Sequence, residues 1–280
     1  MWPTITPSTK LSDQLVDTMV DLCRRAGNLH SHRGDAFVFQ YYDWVDDAVR
    51  RLAAFLSTDD VDRLIRTRVY WQVTDIPANQ MHVQQIVRGE IESVTRRLEA
   101  LCTEFRAAAD YWDETANYVV LDTNIFVEHH TRFDQTDWFE AVNHRPSLSI
   151  RLVVPQIVLD ELDDLKTRLW RDRGKDSRPW RIAQVLKTLE EAAAMQPLSL
   201  PECRHLGHGH VTVETLPDPL MHRRLDVNDA EIVRRATDLQ GLTGREVTLV
   251  SNDTGMLVRA RLAGLRPVRL VPIETKAAES

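Results

Sequence analysis

The sequence lacks any run of apolar residues that approaches the roughly 20 needed for a helix to cross a bilayer. Its first residues also lack the basic region and apolar core of a secretory signal. Cysteines are few: Cys23, Cys102 and Cys203 are scattered and odd in number, which argues against a disulfide framework and agrees with a reducing compartment. We therefore expect a cytoplasmic protein without a membrane segment.

Internal repeats and low-complexity tracts are also missing from the 280 residues, and so is the phosphate-binding motif Gly-x-x-x-x-Gly-Lys-Ser/Thr. The last absence excludes an ATPase of the P-loop type. With 43% hydrophobic and 28% charged residues, the composition is ordinary for a globular protein, and the chain is long enough for two modest domains.

The chain has no surplus of positive charge, since its net charge is -7. This balance is unusual for a protein that binds nucleic acid, so its distribution matters. Residues 1–117 carry 13 Lys and Arg against 18 Asp and Glu, whereas residues 118–280 carry 22 against 24. From Lys166 to Lys187 there are eight basic residues against two acidic ones, and a local surplus of this kind attracts a phosphate backbone.

The most informative stretch runs from Tyr118 to Val127. Its first residues, Tyr-Val-Val-Leu, form a short apolar run rich in β-branched side chains, typical of a strand that is buried on both faces. The run ends at Asp122, followed by Thr123 and Asn124, where the backbone must leave the sheet. In open α/β sheets the ligand crevice lies outside the carboxyl ends of the strands, so we expect Asp122 to face that crevice.

Similar patterns recur further along the chain. Residues 152–154 form a second apolar run, followed by helical spacing with Glu161 near the start of the helix. Residues 247–250 form a third run, which ends in the polar turn Ser251-Asn-Asp253. Between them, Asp229 lies at the start of another predicted helix. Four acids from four separate segments can therefore meet at one edge of one sheet.

These stretches resemble the PIN-domain nucleases, and most of all the larger PIN domains found beside PhoH-type ATPases and in RNA-processing nucleases. The resemblance covers roughly residues 117–273. It implies a three-layer α/β/α domain with a central, mostly parallel sheet, and a divalent-metal-dependent endoribonuclease that hydrolyses RNA phosphodiester bonds. Carried over by position, the family's catalytic and metal-binding residues are Asp122, Glu161, Asp229 and Asp253, with Asn124 and Ser251 as supporting residues around the metal.

Clustered carboxylates suit this chemistry. Hydrolysis of a phosphodiester needs an activated water and a stabilised leaving oxygen, and one or two Mg²⁺ or Mn²⁺ ions supply both. Such hard cations prefer oxygen ligands, and four carboxylates held together without a metal would repel one another. Asp122 is the most direct ligand by this reasoning, while Asp229 and Asp253 complete the shell, partly through water. Glu161 binds a second ion or orients the attacking water, and Asp226 is the alternative to Asp229.

The region before this domain shows helical patterns. Four segments have apolar residues at helical spacing: 11–26, 43–56, 61–66 and 87–111. Gly27 and Asn28 are predicted to end the first helix, whereas residues 71–78 fit no pattern clearly. We expect three parts in all, and they are a helical N-terminal domain at 1–115, a PIN-like domain at 117–275 and a tail at 276–280.

The helical half contains no recognisable chemistry. Its aromatic residues favour packing in a core over stacking of RNA bases, and its acidic surplus argues against a main RNA-binding surface. Binding of a protein partner or formation of a homo-oligomer is the natural alternative to RNA binding for this region.

The basic segment that follows Glu161 is the candidate RNA contact, with a solvated charged face as the alternative. Six residues are predicted to bind the substrate: Lys166, Arg168, Arg171, Arg173, Lys175 and Arg178.

Two groups of histidines have weaker claims to function. Four residues have the types of a zinc site, but their spacing matches no common zinc motif: Cys203, His205, His208 and His210. His129 and His130 lie close in sequence to the proposed site, and a surface position is the favoured interpretation for both.

Other functions remain to be distinguished from a nuclease. A phosphatase of the haloacid-dehalogenase type also has an Asp after its first strand, but it needs a second acid two residues later, where this chain has Asn124. A non-catalytic RNA-binding or scaffold protein on the same fold is one alternative. The toxin of a toxin–antitoxin pair is another, although such toxins are usually compact and this chain has a long helical half.

Overall fold

The computed structural model describes residues 11–29, 34–77, 81–112, 115–128, 133–143, 149–169, 177–195, 198–200, 210–219 and 222–270. The chain divides into two compact units, one within Ser8–Asp113 and the other beginning at Glu114. Each unit has its own elements and is described by itself. None of the described helices is both long and apolar enough to span a membrane.

The first unit is helical. Its described residues form α1 (Leu11–Leu29), α2 (Asp35–Leu52), α3 (Thr58–Leu64), α4 (Arg68–Thr74) and α5 (Met81–Tyr111). The apolar faces of these helices share one core, in which Met19, Tyr41 and Leu98 are fully buried. The unit therefore has a hydrophobic core of its own.

Several predicted boundaries in this unit are wrong: α2 ends at Leu52 and not at 56, α3 spans Thr58–Leu64 and not 61–66, and α5 begins at Met81 and not at 87. Two further differences have a clear physical reason. Gly27 and Asn28 do not end α1, which continues to Leu29 because that side chain is buried and extends the apolar stripe. Packing of this kind outweighs the weak helix propensity of glycine. Helix α2 begins at Asp35, earlier than predicted, because Phe37 and Val38 are buried on the same stripe.

The aromatic residues of the helical unit are divided between its core and its surface. Phe37, Tyr41 and Trp44 are buried, so the prediction of core packing is confirmed for them. Phe39 and Trp71 are 59% and 54% exposed, so the same prediction is wrong for these two.

The second unit alternates strands and helices. Its described strands are β1 (Ala116–Leu121), β2 (Ser149–Pro155), β3 (Leu198–Ser199), β4 (Val211–Leu216), β5 (Val247–Val250) and β6 (Arg266–Val268). Its helices are α6 (Thr123–Glu128), α7 (Trp138–Ala141), α8 (Gln156–Arg168), α9 (Arg178–Ala194), α10 (Asn228–Thr243) and α11 (Thr254–Leu262), with a 3-10 turn at Phe133–Gln135.

The strands form one sheet in the order β3-β4-β2-β1-β5-β6. Only the short β3 pairs antiparallel with its neighbour; the other described pairs are parallel. The central strand β1 lies between β2 and β5, with Val120 opposite Val153 on one side and Leu249 on the other. The predicted fold class, a helical region followed by an α/β/α domain with a mostly parallel sheet, is confirmed.

The sheet is buried as the apolar runs predict. Val119, Val120 and Leu121 of β1 are fully inaccessible, and so are Leu249 and Val250 of β5. Because β1, β2 and β5 run in the same direction, their carboxyl ends meet at one edge of the sheet. The turns after β1 and β5 carry Asp122 and Asp253, whereas Glu161 lies on α8 after β2 and Asp229 lies on α10 after β4.

Candidate active site

Asp122 lies directly after β1 and is 6% exposed. Its backbone N–H donates to the carbonyl oxygen of Val250 at 3.1 Å, which attaches the turn to β5. The Oδ1 atom of Asp122 accepts from the Thr123 N–H at 2.7 Å, and Oδ2 accepts from Ser251 Oγ at 2.6 Å. The carboxylate is thus held by neutral donors from the ends of two adjacent strands.

Asn124 and Ser251, the predicted supporting residues, join these two turns. Asn124 Nδ2 donates to Ser251 Oγ at 3.1 Å, and Asn124 Oδ1 accepts from the Asn252 N–H at 3.2 Å. Ser251 is fully buried and donates in turn to Asp122. Both residues therefore fix the position of Asp122, whatever else they bind.

Glu161 lies on α8 and connects three elements. One of its carboxylate oxygens accepts from Thr123 Oγ1 at the start of α6, and the other accepts from Asn228 Nδ2 of α10 at 2.6 Å. Sequence reasoning missed Thr123 and Asn228 as site residues. Each is adjacent in sequence to a predicted acid, Asp122 or Asp229, and that adjacency was the signal available.

Asp229 lies in the first turn of α10 and forms an ion pair with Arg259 of α11, with Oδ2 and Nη1 2.8 Å apart. Both side chains are about half exposed, at 45% and 47%. Arg259 was also missed, because nothing in the spacing of the sequence brings the two helices together. The alternative acid, Asp226, is exposed in the turn before α10.

Asp253 caps the N-terminus of α11, where its Oδ1 accepts from the Met256 N–H at 2.8 Å. Its own N–H donates to Ser251 Oγ at 3.0 Å. Asp253 is therefore connected to Asp122 through a single hydroxyl, although its side chain is exposed.

Burial raises the pKa of Asp122 to about 6. The hydrogen bonds from Ser251 and Thr123 lower the pKa, and the negative charges of Asp229 and Glu161 raise it further. Asp229 and Glu161 therefore act on Asp122 electrostatically, so three acids from three elements share one region. A buried carboxylate with acidic neighbours and oxygen-rich surroundings fits a hard divalent cation, which would relieve the repulsion.

The comparison with protein families agrees with this arrangement. The PIN domain matches residues 119–270, more than half of the chain. The chain belongs to the PIN domain family. PIN domains are generally nucleases that act on RNA and typically use divalent metals such as Mg²⁺ or Mn²⁺. No curated protein matches the chain significantly.

A second cluster of this PIN domain was not predicted. Among the described residues, only Asp218, His222 and Glu231 form a group of three whose possible ligand atoms all lie within 4.8 Å of one another. The carboxylate oxygens of the four predicted acids lie further apart than the possible ligand atoms of this group.

Most of the possible ligand atoms of the second cluster already have protein partners, whereas Asp218 Oδ1 accepts no hydrogen bond from the described residues and lies 3.8 Å from Arg235 Nε. Nε2 of His222 lies 2.6 Å from Oε1 of Glu231, whose other oxygen accepts from the Leu225 N–H at 2.9 Å. Asp218 Oδ2 accepts from Arg224 Nε at 2.6 Å. Arg224 neutralises the carboxylate of Asp218. We therefore interpret this group as a structural one that stabilises the segment leading into α10.

The predicted substrate contacts are only partly described. Lys166 bonds Asp163 at 2.7 Å, and Arg168 lies 3.6 Å from Asp164, so acids of α8 offset both charges. Arg178 is exposed at the start of α9. Three of the predicted contacts lie outside the described residues: Arg171, Arg173 and Lys175.

Most of the histidines and the cysteine considered above also lie outside the described residues: His129, His130, Cys203, His205 and His208. His210 is described and is exposed just before β4.

Proposed function

We propose that this PIN-domain protein is a divalent-metal-dependent endoribonuclease. The observation that carries the proposal is Asp122, a buried acid at the edge of three parallel strands whose pKa is raised to about 6, with the charges of Glu161 and Asp229 among the causes. Folding gathers negative charge here without a cationic side chain bonded to Asp122 among the described residues. A site built in this way is suited to a cation.

In this proposal Asp122, Asp229 and Glu161 hold Mg²⁺ or Mn²⁺, and Asp253 completes the set. A bound ion of this kind supplies charge compensation for the phosphate and activation of water. The quartet is too open for all four acids to hold one ion directly. Because Mg²⁺ keeps several of its waters, the proposal assigns part of the binding to water-mediated contacts.

The remaining residues have positioning roles. Ser251 and Asn124 orient Asp122 by the hydrogen bonds described above, and Thr123 and Asn228 hold the two oxygens of Glu161. Such partners of metal-binding side chains typically change metal affinity or activity by about 10–100-fold when they are replaced.

The substrate in this proposal is RNA, bound in part by the basic residues after Glu161. The helical unit is assigned to a protein partner or to a second copy of the chain, to which the exposed rings of Phe39 and Trp71 are accessible. Large exposed apolar side chains are common where proteins associate.

The proposal is tested by incubating labelled RNA, single-stranded and hairpin, with the purified protein and Mn²⁺ or Mg²⁺. We expect cleavage that EDTA abolishes and that Asp122→Asn reduces at least about 100-fold, in line with the loss of a metal-binding group. Glu246→Gln, an exposed acid just before β5 at the opposite edge of the sheet, is the matched control and should cleave normally. If Asp122→Asn cleaves RNA as fast as the wild type, Asp122 is not a metal-binding residue of the active site. No cleavage of any RNA by the wild type would favour a non-catalytic scaffold.

A further inference from the structure

A groove of about 310 Å³ lies between α11 and β6, beside the turn that carries Asp253. Leu257, Val258 and Leu262 of α11 form its apolar wall together with Pro267 of β6. This size is at the small end of ligand pockets. The groove therefore suits one nucleotide-sized group rather than a folded element of another protein.

The outer side of α11 is unusually apolar for a surface helix. Met256 and Ala260 are buried on its inner side, yet Val258 and Leu262 on the outer side are 53% and 84% exposed. Arg259 and Arg261 are exposed on the same helix, so its outer side combines apolar side chains with positive charge. The exposed side of α11 thus has the character of a binding surface.

Two arginines border the groove, and neither has a carboxylate partner among residues 222–270 or the other described ranges. Arg261 is exposed and makes no side-chain hydrogen bond or ion pair within the described part of the chain. Arg269 is exposed and donates to the carbonyl oxygen of Asn252 at 2.7 Å and to Thr254 Oγ1 at 2.8 Å. The described residues that line the groove include no acid, so both positive charges remain available.

The basic segment that was predicted from the sequence differs from the groove, because its described residues on α8 are paired with carboxylates. Lys166 and Arg168, the described members of that segment on α8, each lie beside an acid one turn away. Counterion release requires charges that the protein has not already neutralised. By this criterion the arginines of the groove are better placed to bind phosphate than those of α8.

The groove is also continuous with the proposed active site. Thr254, one of its lining residues, directly follows Asp253, and Arg269 bonds the residues on both sides of Asp253. A strand whose scissile phosphate lies at the acids would enter the groove at Thr254 and Arg269 and reach Arg261 about 10 Å further along α11.

We propose that this groove is a nucleotide-binding subsite for RNA that flanks the cleavage position. Arg261 and Arg269 bind phosphates, and the base or ribose packs on Leu257, Val258 and Leu262. The inference rests on the proposed nuclease function and names where its substrate is held. Because these contacts are apolar and electrostatic, binding is tolerant of base identity, as in other proteins that bind single strands through a basic groove.

Fluorescence anisotropy of a short labelled single-stranded RNA tests the subsite. The full chain carries Asp122→Asn in every sample, so that RNA is bound but not cleaved. Arg261→Gln should weaken binding about 3- to 10-fold at low salt, and should make the dependence of log K on log salt less steep by about 0.7, the value for one lost phosphate contact on a single strand. Leu262→Ser should weaken binding without changing that slope.

Arg245→Gln is the matched control, because Arg245 is an exposed arginine just before β5, at the opposite edge of the sheet from the acids. Its RNA affinity should equal that of the Asp122→Asn background. Leu262 is 84% exposed, so its substitution leaves the core intact.

Unchanged affinity and slope in both groove variants would overturn the subsite, and continued RNA cleavage by the otherwise wild-type chain would show that the nuclease proposal survives. If the two variants instead dissociate a dimer in sedimentation experiments while RNA affinity is unchanged, the groove is a contact between copies and the subsite is wrong. If the Asp122→Asn background binds no RNA and the wild type cleaves none, both proposals fall.

Discussion

The carboxylate of Asp122 accepts two hydrogen bonds, from Ser251 and Thr123, yet burial still raises its pKa to about 6. The folded protein therefore binds this proton more tightly than the unfolded chain, for which the pKa is near 3.8. Stability is consequently lost as the pH rises from about 4 to about 6, and the loss persists at higher pH. Ionised Asp122 destabilises the metal-free protein at neutral pH.

Asp122→Asn should therefore stabilise the metal-free protein. In EDTA at neutral pH we expect a gain of about 2–3 kcal/mol in the free energy of unfolding, since each pKa unit corresponds to about 1.4 kcal/mol. The gain should shrink below pH 6 and vanish near pH 4, as followed by denaturant unfolding. Asp226→Asn, an exposed acid, is the control. A gain that is the same at all pH values would contradict the pKa shift as its cause.

Arg259 provides a second test of the metal site because its guanidinium is paired with the carboxylate of Asp229, which the proposal assigns to the ion. An exposed ion pair of this kind is worth about 1 kcal/mol at most, so a metal can displace it. Arg259→Gln removes both the competing pair and the nearby positive charge. We expect Mn²⁺ to bind the variant roughly 3- to 5-fold more tightly in calorimetry, the equivalent of about 1 kcal/mol.

Arg261→Gln, on the same helix, controls for the change in net charge and should shift Mn²⁺ affinity less. Weaker binding by Arg259→Gln would mean that Arg259 holds Asp229 in its binding position instead of competing with the ion.

Strands β2 and β4 are joined by a buried ion pair. Arg151 Nη2 donates to Glu214 Oε2 at 2.6 Å, both side chains are at most 4% exposed, and the guanidinium lies 5.5 Å from the centre of the Tyr118 ring. Breaking such a pair leaves one buried charge uncompensated, which costs about 3–5 kcal/mol, whereas replacing both partners by apolar residues is often nearly neutral.

Glu214→Leu alone should therefore destabilise the PIN domain by about 3–5 kcal/mol. The double variant Arg151→Met with Glu214→Leu should recover most of that loss, as measured by denaturant unfolding. A double variant no more stable than Glu214→Leu would indicate that the cost arises from packing rather than from the unpaired charge.

The strands could be predicted from the sequence where a run of apolar residues indicates burial on both faces. Residues 119–121, 152–154 and 247–250 are apolar runs buried on both faces, and the structure has strands there. Arg151 within β2 could not be anticipated, because its place in the core depends on Glu214 of another strand. The groove beside α11 could not be anticipated either, since nothing in the sequence shows which apolar side of that helix is left exposed.

Contacts between distant elements could not be predicted for the candidate site either. The strand ends predict that acids gather at one edge, and in the structure the charges of Glu161 and Asp229 both raise the pKa of Asp122. The bond from Asn228 to Glu161 and the pair between Arg259 and Asp229 depend on how α8, α10 and α11 pack, which local patterns do not encode.

The chain as a whole combines two units with different character. The family match covers residues 119–270 and leaves out the helical unit, which has a separate core and carries most of the negative surplus. Net charge alone would have argued against an RNA substrate. Among the described residues, the arginines of the groove beside α11 have no carboxylate partner, and they support the RNA substrate that we propose because the counterions displaced near a contact drive binding.

The central claim is that the fold gathers Asp122 and its acidic neighbours into a site for a divalent ion. Anomalous scattering from a crystal of the wild-type protein soaked with Mn²⁺ tests this most directly. We predict a peak within bonding distance of the Asp122 carboxylate, with Glu161 or Asp229 beside it. A peak at Asp218, His222 and Glu231 alone, with none at Asp122, would contradict the account.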